Sequence, residues 1–208
     1  MVGDYRAQGM RTIRLNGATY PLRAIAFDLD STLTRPYLDF TRLRRQLDLP
    51  EGDILQWLAA LPTEEHRQAL HIIDAFERDG VENVEWNEGA RETLAAVRAL
   101  GLPTAIVTRN SRASLLAVCH RLGLTVDVLV AREDAPPKPD PACLHHTARQ
   151  LAVPIEQLLI VGDYRHDTDA GRAAGAKTVL LTNGRFPTWS VDADLVIERL
   201  SNLLLYIR

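Results

Sequence analysis

Ala24-Ile25-Ala26-Phe27-Asp28-Leu29-Asp30-Ser31-Thr32-Leu33-Thr34 is the stretch on which the fold turns. Four apolar residues run straight into two carboxylates and two hydroxyls. A short, nearly continuous apolar run of this kind suits a strand buried on both faces of a parallel sheet. The same pattern recurs along the chain. Pro103-Thr104-Ala105-Ile106-Val107 ends in Thr108-Arg109-Asn110, and Leu158-Leu159-Ile160-Val161 ends in Gly162-Asp163. Val128-Leu129-Val130, Thr178-Val179-Leu180-Leu181 and Asp194-Leu195-Val196-Ile197 are further runs. Between them, 88–100, 111–122, 141–151 and 166–174 read as helices. Gly101, Gly123 and Gly175 each stand where a left-handed residue ends a helix, and Asp140-Pro141 reads as a cap before a first-turn proline. Strand–helix alternation of this kind predicts an α/β fold, a doubly wound, Rossmann-like parallel sheet.

Two stretches depart from that rhythm. Residues 36–86 hold no convincing strand and only helical periodicity, with an apolar stripe at Ala69, Leu70, Ile73 and Phe76 and shorter helices over 39–47 and 53–61. About 50 residues are too many for a loop, so this is an inserted, all-helical subdomain, and 1–35 with 87–208 form the α/β core. Ahead of the first strand, Asn16-Gly17 between Thr12–Leu15 and Ala18–Pro21 predicts a β-hairpin over about 11–22 with a type I′ turn. The 208 residues are 46% hydrophobic and 25% charged, which excludes wholesale disorder. No apolar run reaches the roughly 18 residues of a membrane span, and 1–15 lacks a secretory leader. A net charge of −3 offers nothing to nucleic acid or an anionic membrane. Cys119 and Cys143 lack metal-ligand spacing, so reduced thiols and a cytoplasmic location are expected.

Ligands of open α/β sheets bind beyond the carboxyl ends of the strands, and those ends carry the chemistry here. They bring together Asp28 and Asp30, Thr108, Arg109 and Asn110, Lys138, and Asp163 and Asp167. Several carboxylates on one edge repel one another, which a Mg²⁺ ion would relieve. A hydroxyl, backbone N–H groups and a cation suit a phosphate. Of 24 basic residues only Lys138 and Lys177 are lysines, so a lysine in the loop Pro136-Pro137-Lys138-Pro139 suggests a need for a compact ammonium. Metal beside phosphate points to phosphoryl transfer.

Asp28-Leu29-Asp30-Ser31-Thr32, Thr108, Lys138 and Gly162-Asp163 with Asp167 resemble, in order, the four motifs of the haloacid dehalogenase-like (HAD) hydrolases, over about 25–185. The spacing around Asp163 resembles the phosphoglycolate-phosphatase-like branch. The resemblance implies that 36–86 is a small helical cap and that the enzyme is a Mg²⁺-dependent phosphatase of a small phosphorylated metabolite. It implies Asp28 as the nucleophile that becomes an aspartyl-phosphate, needing no base because an ordinary carboxylate is already ionised. Asp30 would be general acid and then base, Thr32 a brace, and Thr108 a phosphate ligand aided by the backbone of Arg109 and Asn110. Lys138 would neutralise charge. The metal would lie on Asp28, Asp163 and the Asp30 carbonyl, with Asp167, rather than Asp169, on its water shell or orienting Asp163 and Lys138. A phosphomutase would share all four motifs. A haloacid dehalogenase has no use for Asp30, and a receiver module lacks both Asp30 and the cap. His166 is a candidate neighbour of the site. Arg42 and Arg45 read as a solvated face or as substrate-gripping cations, and His145-His146 as a solvated or packed pair. Monomer and homodimer are both open.

Overall fold

The computed structural model describes residues 11–49 and 51–208. The leader-free reading of 1–10 lies outside them. Strands β1 (Arg11–Leu15) and β2 (Ala18–Leu22) form the expected hairpin, with Asn16 at φ 47° and Gly17 at φ 82°, the two left-handed residues a type I′ turn requires. Its buried Ile13, Leu15 and Leu22 pack into the α/β core, and Thr12 and Arg14 pair with the backbone of Tyr206 and Arg208. Lys177 sits 4.1 Å from the Tyr20 ring centroid, a cation–π contact that ties β2 to the main sheet.

That sheet has six parallel strands: β3 (Ala24–Phe27), β4 (Thr104–Val107), β5 (Val128–Val130), β6 (Leu158–Gly162), β7 (Lys177–Leu181) and β8 (Leu195–Ile197), in the order β5-β4-β3-β6-β7-β8. It is the doubly wound sheet the alternation predicts. Period-2 alternation divides each strand between two cores. Ile25 and Phe27 join Ile106, Leu159 and Val161 under α4 (Ala90–Ala99) and α5 (Arg112–Leu122). Ala24 and Ala26 join Ala105, Val107 and Ile160 under α6 (Ala142–Gln150) and α7 (Arg165–Ala174). The second face is mostly alanine, so helices approach closely; a Cβ on Gly171 would overlap Ile160 and Thr178. The predicted cap at Asp140 lies one residue further out. Pro141 is the boundary residue, and Asp140 Oδ1 accepts from Ala142 N at 2.8 Å.

The chain leaves β3 for β4 on one side and reaches β6 on the other, so the sheet's switch point lies beyond Phe27, which is level with Ile106 and Val161. The helical insertion rises from that edge. Its two connecting segments run side by side, with a bridge between Thr34 and Trp86 and Arg35 N bonded to Glu85 O. Helices α1 (Phe40–Gln46), α2 (Ile54–Ala59) and α3 (Thr63–Gly80) share their own apolar cluster around Leu43, Leu58, Ala69, Ile73 and Phe76. Asp39 and Asp53 cap α1 and α2 through bonds to backbone N–H groups. The stripe on α3 is buried as the periodicity predicts, and so is Glu77, a charge on an apolar face.

Candidate active site

Beyond β3 the backbone winds irregularly over Leu29–Leu33, with Asp30 extended and Ser31 left-handed at φ 61°. Such a turn costs energy for a non-glycine residue and persists because its carbonyls are held. Asn87 Nδ2 donates to the carbonyls of Ser31 (3.1 Å) and Thr32 (3.0 Å), and Asn183 Nδ2 donates to Ser31 O (2.8 Å). This sends the Asp28 and Asp30 side chains to different neighbours.

Asp28 faces Lys138, whose ammonium donates to Asp28 Oδ1 and to Asp167 Oδ1, both at 2.5 Å. The lysine is 2% exposed, so it is a buried cation shared by two carboxylates. Asp163, on the loop after β6, completes a group with Asp28 and Asp167 whose carboxylate oxygens lie within 4.8 Å of one another. No described residue donates a hydrogen bond to the Asp163 side chain. Gly162 makes room for the arrangement, because a Cβ there would overlap the Asp167 carboxyl, whose Oδ2 accepts from Tyr164 N at 3.2 Å.

Burial pushes Asp28 up to about 7, against the pull of Lys138 and with the push of Asp167 and Asp30. Burial pushes Asp163 up to about 9, helped by repulsion from Asp28 and Asp167. Lys138 is held well above the ordinary lysine range: burial opposes its charge, but the two carboxylates outweigh burial. Burial thus disfavours the ready ionisation that the sequence reading expects of Asp28, while the Lys138 ammonium beside it favours the carboxylate that a nucleophile needs. Three crowded oxygen ligands around one ammonium fit a hard divalent cation such as Mg²⁺, since they form an all-oxygen set with a charge deficit.

Asp30 turns the other way. Asn110 Nδ2 donates to its Oδ2 at 2.7 Å, while Oδ1 is buried without a partner. Burial raises its pKa to about 6, with repulsion from Glu77, against hydrogen bonds from Tyr37 and Asn110. A carboxyl poised there can give up or take a proton near neutrality. Thr108 closes β4 with its hydroxyl accepting from Asn110 N at 3.1 Å. Asn110 thus places its backbone N–H against the Thr108 hydroxyl and its side chain on Asp30.

Arg109, expected to serve through its backbone, uses its side chain to tie the loop to its surroundings. Its guanidinium donates to Lys138 O (2.6 Å) and, at 2.7 Å, to both oxygens of Asp53 from the insertion. His166 Nε2 lies 3.1 Å from the same carboxylate. Burial pushes Asp53 up, but His166 and Arg109 overcome it and hold the acid well below the usual carboxylate range. On the opposite flank Glu77 Oε2 accepts from Ser111 N (3.0 Å) and Oγ (2.7 Å), while Arg132 bridges Glu77 and Asp74. The insertion therefore grips the core on two sides of the cavity, which measures about 700 Å³ and reaches Asp28, Asp30, Asn110, Lys138, Asp163 and Asp167. Asp28, Asp30, Arg109, Asn110, Lys138, Asp163 and Asp167 all line this cavity, whereas Thr108 lies beside Asn110 at the end of β4 and Thr32 is buried outside its lining. Arg42 and Arg45 are exposed and away from it, whereas Arg44 lines it. Sequence reasoning missed Tyr37, Asp53 and Glu77. The signal at Asp53 was its place before a helix, which reads as a cap and nothing more.

A family model for haloacid dehalogenase-like hydrolases matches residues 22–175. An uncharacterized hydrolase of Saccharomyces cerevisiae is 31% identical over 85% of this chain and 82% of its own. A phosphoglycolate phosphatase of Chromobacterium violaceum is 26% identical over 88% and 95%. The crystal structure of a hydrolase from Pseudomonas syringae shares the fold, with TM-score 0.75 and 22% identity over 89% of this chain and 97% of that one. With the match spanning strands β3 to β6, the helical insertion and the carboxylate cluster, the chain belongs to the haloacid dehalogenase-like hydrolases.

Proposed function

We propose that this hydrolase is a Mg²⁺-dependent phosphomonoesterase that works through an aspartyl-phosphate on Asp28. The observation that carries the reading is the buried ammonium of Lys138 shared between Asp28 and Asp167, with Asp163 beside them and a separately held Asp30. Asp28, Asp163 and Asp167, with the Asp30 carbonyl the family resemblance implies, would hold the ion. Bound Mg²⁺ supplies the charge that lets the crowded carboxylates ionise together and offsets charge on the phosphoryl oxygens.

The protein's part divides cleanly. An Asp28 carboxylate oxygen attacks phosphorus and the ester P–O bond breaks. Asp30 donates its proton to the departing alkoxide oxygen. In the second half Asp30, now a carboxylate, takes a proton from the water that attacks phosphorus, and the Asp28–phosphorus bond breaks to release inorganic phosphate. Lys138 holds Asp28 in line and offsets its charge, and the Thr108 hydroxyl is free to donate to a phosphoryl oxygen. The relatives named phosphoglycolate phosphatases act as their names say; the phosphatase reading extends their reaction type, not their substrate.

The test is hydrolysis of p-nitrophenyl phosphate with Mg²⁺. Excess EDTA abolishes turnover, and Asp28→Asn lowers kcat by at least about 10³-fold while keeping the native circular dichroism. Undiminished turnover in that variant refutes the covalent route.

A further inference from the structure

We infer that the alcohol half of the substrate is uncharged and apolar, and that Asp53 enforces this by occupying Arg109 and His166. This rests on the phosphomonoesterase reading and adds the substrate class. Across the cavity from the carboxylate cluster, the insertion offers Phe40, Leu43, Ile54, Leu55, Ile73 and Phe76. Phe40 is 47% exposed although its ring stacks obliquely near Phe76, 6.0 Å between centroids, so apolar surface is left open at the cavity wall. A wall of this kind recognises a hydrocarbon group by removing its surface from water.

A second anionic group would need a cation, and most of the cations lining the cavity already face carboxylates. Lys138 belongs to Asp28 and Asp167, and Arg165 lies 3.6 Å from Asp169. Arg109 and His166 converge on Asp53, whose side chain is 13% exposed. Arg44 donates to Gly52 O at 2.6 Å but has no carboxylate partner among the described residues, and its buried Nη1 has no hydrogen-bond partner, so it is the cavity cation that the Arg44→Gln arm of the test must exclude. The protein's own carboxylate thus stands where a substrate carboxylate would meet Arg109. An apolar wall beside a Lys138 and an Arg109 already paired with carboxylates disfavours a charged distal group and accepts a ring or alkyl chain.

The experiment compares kcat/KM with Mg²⁺ for benzyl phosphate, ethyl phosphate and 2-phosphoglycolate, whose leaving alcohols are of similar acidity. Wild-type protein favours benzyl phosphate over each of the others by about tenfold or more, the scale of a ring filling an apolar pocket. Asp53→Asn, which releases Arg109 from its counter-charge, moves the 2-phosphoglycolate to benzyl phosphate ratio upward by about tenfold. Phe40→Ala, at a partly exposed position that folding tolerates, lowers the benzyl to ethyl ratio severalfold. A wild-type preference for 2-phosphoglycolate, above all one lost in Arg44→Gln, overturns the inference and leaves the phosphatase reading standing. So does a benzyl to ethyl ratio near one. Failure to hydrolyse p-nitrophenyl phosphate or any of these esters overturns the reading and the inference together.

Discussion

Asp28 and Asp30 are two residues apart yet face different neighbours, because the backbone turns irregularly as it leaves β3. Asp28 meets an ammonium, and Asp30 meets the Asn110 amide. If Asp30 protonates the alkoxide, its loss matters most when the leaving group needs a proton. Asp30→Asn therefore lowers kcat for an alkyl phosphate by about 10²–10⁴-fold but burdens p-nitrophenyl phosphate far less, since nitrophenolate leaves unaided. Single-turnover rates for the two esters measure the difference. Lys138 is a second residue-scale case. Lys138→Met leaves two buried carboxylates without their cation, and a loss of about 3–5 kcal/mol in denaturant unfolding is expected, the cost of breaking a buried pair from one side. Arginine is a poor rescue, because its fork needs room that a pocket built around one point charge lacks.

At the scale of elements, the sheet places the site and the helices decide how tightly it is held. β3, β4 and β6 bring Asp28, Thr108 and Asp163 to one edge by register alone. The close contact of α7 with β6 and β7 through Gly171 holds the Asp167 end of the cluster. Gly171→Ala would push the added methyl into Ile160 and Thr178 and cost about 1–3 kcal/mol, seen as a lower Tm in calorimetry. Helix α3 shows where reading by pattern stops. Its stripe at Ala69, Ile73 and Phe76 is plain from periodicity. Glu77 follows on the same face and reads as a solvated neighbour until Ser111 and Arg132 are found against it, contributed from 34 and 55 residues away. Local pattern reports which face of a helix is apolar, and carries no information about which distant cation meets a charge on it.

For the whole molecule the carboxylate cluster links metal, pH and stability. Asp28 and Asp163 have folded-state values of about 7 and about 9, above the ordinary 3.8. A raised carboxyl holds its proton more tightly folded than unfolded. Between the ordinary value and the raised one the unfolded chain ionises first, so stability falls as pH rises across that window. The EDTA-treated protein should therefore lose Tm steadily from about pH 5 to about pH 9. Mg²⁺ binds the ionised form, so its gain in Tm is larger near pH 8.5 than near pH 6, roughly as the protons it displaces are already gone. A Tm that rises over that range without metal contradicts the assignment of those groups. The same scale includes the grip of the insertion on both flanks of the cavity, by Asp53 on one and Glu77 on the other. Among the described residues no helix is long and apolar enough to cross a membrane.

The sequence by itself determined the parallel sheet, the hairpin, the helical insertion and the gathering of the chemical residues at one sheet edge. Strand burial, turn geometry and helix periodicity are written in neighbouring residues, and strand ends fall at one edge wherever strands are parallel. Only the tertiary structure decided which carboxylates share Lys138, that burial raises Asp28 above the ordinary carboxylate range, and that Asp53 reaches Arg109 across the cavity. Those facts depend on distances between residues far apart in the chain, and on the water excluded when they meet, and neither quantity has a local imprint.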